Sequence, residues 1–332
     1  MSENVAREGT YQGESAILLK YGRYSAVMLP RIGGNLIAFR DDEQGFQFLR
    51  EPEESEWQDF VDRPMVHGIP VLVPPNRIDR GAFTFNGRSY QFPINEESTG
   101  NHLHGFVYNY PWQVESYGTD ADSSYVTVTL RFDHNHPSYV HFPHTFTLTN
   151  TYTLSADGLS ERFTAVNDGP DEMPFMLGFH TAVNAPFAPG STADDITVSL
   201  TIGERWELDE RMLPTGRFQP LSPGEQQLKA GDGTPYFAPL DNHYTAEPQN
   251  GRNAMVLTDK KAGVRLTYEV GSSYGHWMVW NNGNSRRYFC PEPQTILVNA
   301  PNSALPAQQT GLIGLKPGES WSETTSMYVE SI

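Results

Sequence analysis

Turn-forming residues interrupt this chain so often that long helices have little room. Its 332 residues include 29 glycines and 25 prolines, and 12% of the sequence is aromatic. Glycine and proline punctuate regular elements, whereas aromatic and β-branched residues favour strands. The clearest helical periodicity is a short one within residues 51–62, where Trp57, Phe60 and Val61 recur at roughly helical spacing. The sequence therefore predicts an all-β fold with few short helices, and we interpret residues 51–62 as a packing element.

Two hairpins are predicted from local turn chemistry. Asn86-Gly87 stands between alternating aromatic positions within residues 83–92, and this dipeptide tolerates the positive φ angles of a two-residue turn. Residues 145–154 and 159–166 alternate threonine and apolar side chains on either side of a glycine-containing turn. Further strands are predicted at 125–132, 196–202, 255–259, 263–270 and 276–281.

The predicted strands follow one another without a visible boundary. The sequence contains no flexible linker, low-complexity tract or repeat of fixed period. We therefore predict a single domain over residues 1–332, built as a large antiparallel β-sandwich. In such a fold, a ligand is expected on a concave sheet or at its loops.

Charge and hydropathy exclude several classes of partner. The chain has 23 basic and 40 acidic residues, a net charge of -17, which disfavours nucleic acid and anionic membranes. No apolar run approaches the roughly 18 residues of a membrane span. The first residues, Met1 to Asn4, lack the pattern of a secretory leader, so we expect a cytoplasmic protein. A single cysteine, Cys290, excludes an intramolecular disulfide, and its proximity to Glu292 makes it a candidate pocket residue.

Three ionisable side chains stand in unusual local sequences. Glu292 lies between two prolines, whose restricted φ angles place its carboxylate on a stiff, non-helical backbone. His104 precedes Gly105, which permits a ligand to approach closely, and His180 follows Gly178-Phe179. Each residue alone has another interpretation. Glu292 fits a surface turn, His104 fits a loop position where it caps the backbone, and His180 fits a buried core position.

These residues belong to a set of short islands spread along the chain. The islands are Pro75–Ile78, Asn101–Gly105, Gly178–His180 with Asn184, Asp241 within 240–244, and Glu292–Thr295 leading to Asn299. Their order and spacing resemble the aldose 1-epimerase, or mutarotase, family. The resemblance runs through most of the chain and implies the galactose mutarotase-like β-sandwich, with no metal or organic cofactor.

The resemblance also implies catalytic roles. Glu292 matches the general base that takes the proton from the anomeric hydroxyl, and His180 matches the general acid that protonates the ring oxygen. His104 matches a second histidine that supports the ring oxygen. Opening a sugar ring requires an acid and a base acting together, so the residue types suit the chemistry.

Substrate-binding roles follow in the same way. Arg77 and Asp241 match residues that hydrogen-bond sugar hydroxyls, and Asn76 is a further candidate in the same island. Alternatively, Arg77 is a cation at a strand end and Asp241 a turn residue in a region that reads as loop.

Other polar and aromatic clusters admit two interpretations. Imidazoles near Asp133 could ligate zinc or nickel, but two prolines within the run indicate a loop, and we predict no metal site. The histidines concerned are His134, His136, His141 and His144. Trp112, Trp277 and Trp280 could stack on a sugar, but alternating aromatic residues of strands more often belong to the core.

The substrate is the least determined feature. Gly105 is followed by Phe106, whereas many mutarotases have a second glycine at this position. The sequence His-Gly-Phe also resembles that of hexose-6-phosphate 1-epimerases. A phosphate would need cations, for which Arg77 and Arg80 are candidates. The negative net charge and the Pro75–Ile78 island favour free aldohexoses of the glucose or galactose type.

Two other functions are compatible with the sequence. One is a non-catalytic sugar-binding protein on the same fold, and the other is a polysaccharide lyase or glycosidase, which would ordinarily need a second carboxylate such as Asp241. We expect a small-molecule sugar as the ligand, and neither nucleic acid nor a membrane as a partner. We expect the protein to be a monomer or a homodimer.

Overall fold

The computed structural model describes residues 4–332, and strands dominate it. Strands account for 49% of the chain and helices for 9%, so the all-β prediction is confirmed. The strands of the described residues are β1 (Val5–Tyr11), β2 (Glu14–Tyr21), β3 (Tyr24–Leu29), β4 (Asn35–Asp41), β5 (Phe46–Gln47), β6 (Val71–Leu72), β7 (Arg77–Asp79), β8 (Ala82–Phe85), β9 (Arg88–Gln91), β10 (Asn101–Leu103), β11 (Gln113–Thr119), β12 (Ser123–Phe132), β13 (Phe146–Ser155), β14 (Gly158–Asn167), β15 (Met173–Phe175), β16 (Gly178–Phe179), β17 (Val183–Asn184), β18 (Ile196–Leu200), β19 (Ile202–Leu208), β20 (Pro214–Gln219), β21 (Asp241–Ala246), β22 (Asn253–Asp259), β23 (Val264–Val270), β24 (His276–Trp280), β25 (Tyr288–Gln294), β26 (Ile313–Leu315) and β27 (Ser320–Ser331).

Helices are few and short. The α-helices are α1 (Trp57–Asp62), α2 (Pro223–Ala230) and α3 (Ala307–Thr310), and the 3₁₀ helices are Glu54–Glu56, Pro137–Val140, Ala193–Asp195 and Ala300–Asn302. The predicted helix at 51–62 therefore forms as a 3₁₀ turn followed by α1. Between residues 4 and 332, no helix is both long and apolar enough to cross a membrane.

Three antiparallel sheets form the body of the molecule. The N-terminal sheet runs β1-β2-β3-β4-β5, and a second, eight-stranded sheet runs β11-β12-β13-β14-β27-β23-β22-β18. The third sheet runs β20-β19-β21-β24-β25-β16-β6, with β17 also paired to β25. We call this third sheet the site sheet.

The two larger sheets pack face to face through aromatic side chains. Burial alternates along β13, as expected for a strand with one face on the core and one toward water. Phe163 of β14 meets Phe179 of β16 with ring centroids 5.9 Å apart, and Tyr268 of β23 meets Trp277 of β24 at 6.4 Å. Fully burying one such phenylalanine side chain stabilises the fold by roughly 1.5–3 kcal/mol. The predicted antiparallel sandwich is thus confirmed.

Of the predicted strands, one is divided in the structure. Both predicted hairpins form, β8 with β9 and β13 with β14, through two-residue turns. The predicted strand 196–202, however, is divided between β18 of the second sheet and β19 of the site sheet. The chain changes sheets at Thr201, whose hydroxyl donates to Asn253 Oδ1 at 2.8 Å.

Candidate active site

A single cavity on the site sheet collects every predicted site residue. Its volume is about 520 Å³, within the range typical of small-molecule pockets. The predicted residues that line it are Asn76, Arg77, His104, His180, Asp241 and Glu292. They come from loops and strands far apart in the sequence, so the fold rather than local sequence brings them together.

Glu292 lies in the middle of β25 and is 1% exposed. Its partner across the β24 pairing is Met278, which also lines the cavity, so the two side chains share one face of the sheet. The alternative interpretation of Glu292 as part of a surface turn is therefore wrong.

A gap in strand pairing beside Glu292 makes room for His180. On this edge of β25, β17 pairs at Tyr288 and Phe289, and β16 pairs only at Gln294. The two prolines that flank Glu292 lie in the gap, where their lack of an N–H breaks no ladder hydrogen bond on this edge. His180 sits between β16 and β17, with its backbone N–H bonded to Pro70 O at 3.0 Å. Its Nε2 lies 3.2 Å from Glu292 Oε1.

His104 is held by its backbone and by the neighbouring island. Its φ is +67°, and Gly105 follows at +69°, so the chain turns sharply at the end of β10. A side chain on Gly105 would be blocked, because its Cβ would lie 2.0 Å from Val73 O. The N–H of Asn76 donates to His104 Nδ1 at 3.3 Å, which leaves the ring proton on Nε2. The His104 and His180 rings are 5.4 Å apart and nearly perpendicular.

Burial shifts the pKa values of Glu292 and His180 in opposite directions. Desolvation raises the pKa of Glu292 well above its ordinary value, and Asp241 adds to the rise, while Arg77 partly offsets it. Desolvation lowers the pKa of His180 to about 4. Both shifts disfavour charge, so burial favours a protonated carboxyl beside a neutral imidazole.

Arg77 and Asp241 form the polar wall of the cavity. The Arg77 guanidinium donates to Glu96 through Nη2 and Nε, each at 2.9 Å, and its Nη2 lies 3.5 Å from Asp241 Oδ2. Asp241 begins β21 and pairs with Trp280, so the region that reads as loop contains a strand here. Asn76 accepts the backbone N–H of Arg77 at 2.9 Å and fixes the turn before β7.

Of the three tryptophans considered for stacking on a sugar, only Trp280 lines this cavity. Trp277, three residues earlier, is buried and donates to Asn253 Oδ1 at 2.9 Å. The segment 51–62 is more than a packing element, because Asp59 and Phe60 of α1 also border the cavity. The other lining residues outside the predicted set are Arg50, Glu56, Arg63, Met65, Val66, His67, Leu103, Met278, Asn282 and Tyr288.

Some candidates lie elsewhere. Cys290 is fully buried in a small cluster with Ala182 and Tyr288, so its interpretation as a pocket residue is wrong. The Arg80 side chain is 79% exposed and outside the cavity. Trp112 is buried in the core, and Asn184 donates to the carbonyl groups of residues 47 and 49.

Three of the four histidines after Asp133 have separate structural partners. His136 packs between Phe132 and Tyr110, with centroids 4.2 and 4.0 Å away. His144 bonds the Tyr90 hydroxyl at 2.8 Å, and His141 bonds a backbone carbonyl. Across residues 4–332, no three histidine, cysteine or carboxylate side chains are grouped closely enough to hold a metal ion.

Comparison with known proteins agrees with this fold. A galactose mutarotase-like protein from Clostridium acetobutylicum is similar over the full length of both chains, with 33% identity and a TM-score of 0.96. Galactose 1-epimerase from Lactobacillus acidophilus shares the fold, with a TM-score of 0.75 over 99% of both chains, at 18% identity.

Relatives found by sequence are more distant or match in part. The uncharacterized protein YihR of Escherichia coli is 30% identical over 46% of this chain, and the match spans 47% of YihR. A probable aldose 1-epimerase of Arthroderma benhamiae is 31% identical over 50% of this chain and 40% of its own length. The family model for aldose 1-epimerase matches residues 15–328. The chain belongs to the aldose 1-epimerase family.

Proposed function

We propose that this protein interconverts the α and β anomers of free aldohexoses of the glucose or galactose type. The contact between His180 Nε2 and Glu292 Oε1 at 3.2 Å carries the proposal, because it brings an imidazole and a carboxyl group, which are suited to acid and base roles, together in a sugar-sized cavity. Arg77 and Asp241 lie on the same cavity and offer donors and acceptors for sugar hydroxyls.

In the proposed reaction, the Glu292 carboxylate removes the proton of the anomeric hydroxyl while protonated His180 gives a proton to the ring oxygen. The C1–O5 bond breaks, and an open-chain aldehyde forms. Rotation about C1–C2 presents the other carbonyl face, after which His180 takes back its proton and Glu292 returns its own. No covalent intermediate is formed, and the steps need neither a metal nor an organic cofactor.

The burial of the pair favours this proton exchange. Together the two side chains hold one proton before and after ring opening. After ring opening, that proton is on Glu292 and His180 is neutral, which is the form that desolvation stabilises. The charged pair that starts ring opening is therefore the less stable arrangement of the shared proton, and ring opening converts it to the more stable neutral pair.

His104 and Arg77 complete the proposal. His104, neutral and protonated on Nε2, is suited to donate a hydrogen bond near the ring oxygen. Arg77 is already compensated by Glu96 and Asp241, so its guanidinium is better suited to orient hydroxyls than to hold a phosphate dianion. This compensation, and the outward position of Arg80, favour an unphosphorylated sugar.

We further propose a cytoplasmic monomer or homodimer, in accord with a single, buried cysteine.

Polarimetry of freshly dissolved α-D-glucose and α-D-galactose tests the proposal. The purified protein is expected to accelerate the change in rotation, and Glu292→Gln is expected to abolish the acceleration. If neither sugar responds but calorimetry detects sugar binding, the non-catalytic sugar-binding function would replace this one.

A further inference from the structure

The cavity contains three arginines, and two of them are already compensated. Arg50 pairs with Glu56 and donates to Val66 O at 2.8 Å. Arg77 pairs with Glu96 and Asp241. Arg63 differs: among residues 4–332, its guanidinium has no hydrogen-bond acceptor and no carboxylate within 4.0 Å.

Arg63 is fixed at the cavity rim by its backbone. It directly follows α1, and its N–H bonds Asp59 O at 2.9 Å and Phe60 O at 3.2 Å. Its carbonyl accepts the N–H of Met65 at 2.8 Å. The side chain is exposed, so its charge is available to a ligand that enters the cavity.

Arg63 lines the same cavity as His104, His180 and Glu292. Burial is the main reason that the pKa of His104 lies well below its ordinary value, and nearby charges, those of Arg77 and Arg63 among them, add to the effect. The uncompensated guanidinium therefore belongs to the cavity that holds the proposed acid and base.

The chemistry of the ligand follows from the proposed function, on which this inference rests. Ring opening needs a free C1 hydroxyl and a ring oxygen. In an aldohexose that keeps both, the exocyclic carbon C6 is the position for a carboxylate, because a carboxylate needs a terminal carbon. In glucose and galactose, C6 belongs to a neutral hydroxymethyl group.

We propose that the site is built for aldohexoses with a carboxylate at C6, that is, for hexuronic acids. A guanidinium binds a carboxylate through two parallel hydrogen bonds, and such charge-assisted bonds are among the stronger ones in proteins. A monoanion suits one uncompensated guanidinium in a chain of net charge -17. Asp59, which also borders the cavity and is unpaired with Arg63, would repel a phosphate dianion more strongly than a carboxylate.

Two measurements test the substrate class. Polarimetry at pH 8 compares the catalysed rates for D-glucuronate, D-galacturonate, D-glucose, D-galactose and D-glucose 6-phosphate, after subtraction of each uncatalysed rate. Calorimetry measures binding of methyl α-D-glucuronide and methyl α-D-glucoside, which cannot open their rings. Each uses the wild type, Arg63→Met, and Arg80→Met as a control that removes the same charge outside the cavity.

The proposal predicts a higher kcat/KM for the uronates than for the neutral sugars. In Arg63→Met the ratio of uronate to hexose kcat/KM is expected to fall about tenfold or more, as for loss of a charge-assisted hydrogen bond, and Arg80→Met is expected to keep the wild-type ratio. Methyl α-D-glucuronide is expected to lose affinity in parallel.

Other outcomes separate this proposal from the proposed function. Acceleration of glucose and galactose with no preference for uronates would overturn the uronate assignment and leave the epimerase function intact. A larger effect on glucose 6-phosphate would overturn the choice of a carboxylate. No acceleration on any sugar would overturn the epimerase function, and preferential binding of the methyl glucuronide that depends on Arg63 would still support the anion site.

Discussion

His180 Nε2 lies 3.2 Å from Glu292 Oε1 because one edge of β25 lacks a strand partner at that point. β17 and β16 pair with the two ends of this edge and leave its middle open. His180 enters through this opening from the segment between the two short strands. Glu292 lies within a paired strand and His180 is flanked by two short strands, so their backbones hold the two side chains in place.

Glu292→Gln is expected to lower kcat on aldohexoses by about 10²- to 10⁴-fold, because the amide cannot accept the anomeric proton. The substitution preserves size, and sugar affinity measured by calorimetry should change little. Cys290→Ala, two residues away on the same strand but outside the cavity, is the control and should keep most of the wild-type kcat. Activity above one tenth of wild type in Glu292→Gln would assign the base to another residue.

The pH profile of kcat/KM should be bell-shaped, because the Glu292 and His180 pair works only with one proton between them. As pH falls through about 4, His180 becomes protonated while Glu292 already is, and no base remains. As pH rises above the raised pKa of Glu292, the pair loses its only proton, and no acid remains. Stopped-flow polarimetry from pH 3.5 to 9 checks this. An acidic midpoint near 6.5, the ordinary value for histidine, would contradict the assignment.

The sequence was most informative where structure is local. The Asn86-Gly87 turn requires positive φ angles, so a hairpin with aromatic partners could be predicted from ten residues. The division of the predicted strand 196–202 into two strands could not be predicted from the sequence, because both halves have strand character. Only the packing of the two sheets decides that the chain crosses between them at Thr201.

The same contrast holds for the site. Glu292, His180 and His104 stand in recognisable islands, and the fold brings them together as the family resemblance implied. Trp280 and Arg63 belong to no island, and their place depends on the pairing of β21 with β24 and on how α1 packs at the rim. Such long-range relations leave no periodic pattern in the sequence.

Arg77→Met should raise KM for aldohexoses about tenfold and reduce kcat less, because the proposed role of the guanidinium is to orient hydroxyls. Glu96 and Asp241 would lose their cation, so Tm is also expected to fall. Steady-state polarimetry and thermal unfolding measure both effects. Arg80→Met, which removes an exposed arginine, should leave KM and Tm near wild type. A lower kcat with unchanged KM would contradict a binding role.

Gly105→Ala should destabilise the fold by at least about 2 kcal/mol, because a residue with a Cβ is strained at φ +69° and this Cβ would meet Val73 O at 2.0 Å. Relief of the clash would move His104, so kcat/KM should fall as well. Urea unfolding and polarimetry test the two effects. Gly275→Ala, where nothing lies within 4 Å of the added Cβ, is the matched control and should change neither.

Glu161→Gln should remove part of the pH dependence of stability. Glu161 is buried between Asn150, which donates to it at 2.7 Å, and Thr325, and burial raises its pKa to about 7 from 4.5. A raised carboxyl pKa means that the folded state binds the proton more tightly, so this contribution is complete below about pH 4.5 and is lost as pH rises to about 7. Between pH 5 and 8, the free energy of unfolding of the wild type should fall by about 2–3 kcal/mol more than that of the variant. Glu330→Gln, which removes an exposed charge, is the control for general repulsion in this acidic chain. If the free energy of unfolding changed equally with pH in the wild type and in Glu161→Gln, Glu161 would be ionised in the folded protein.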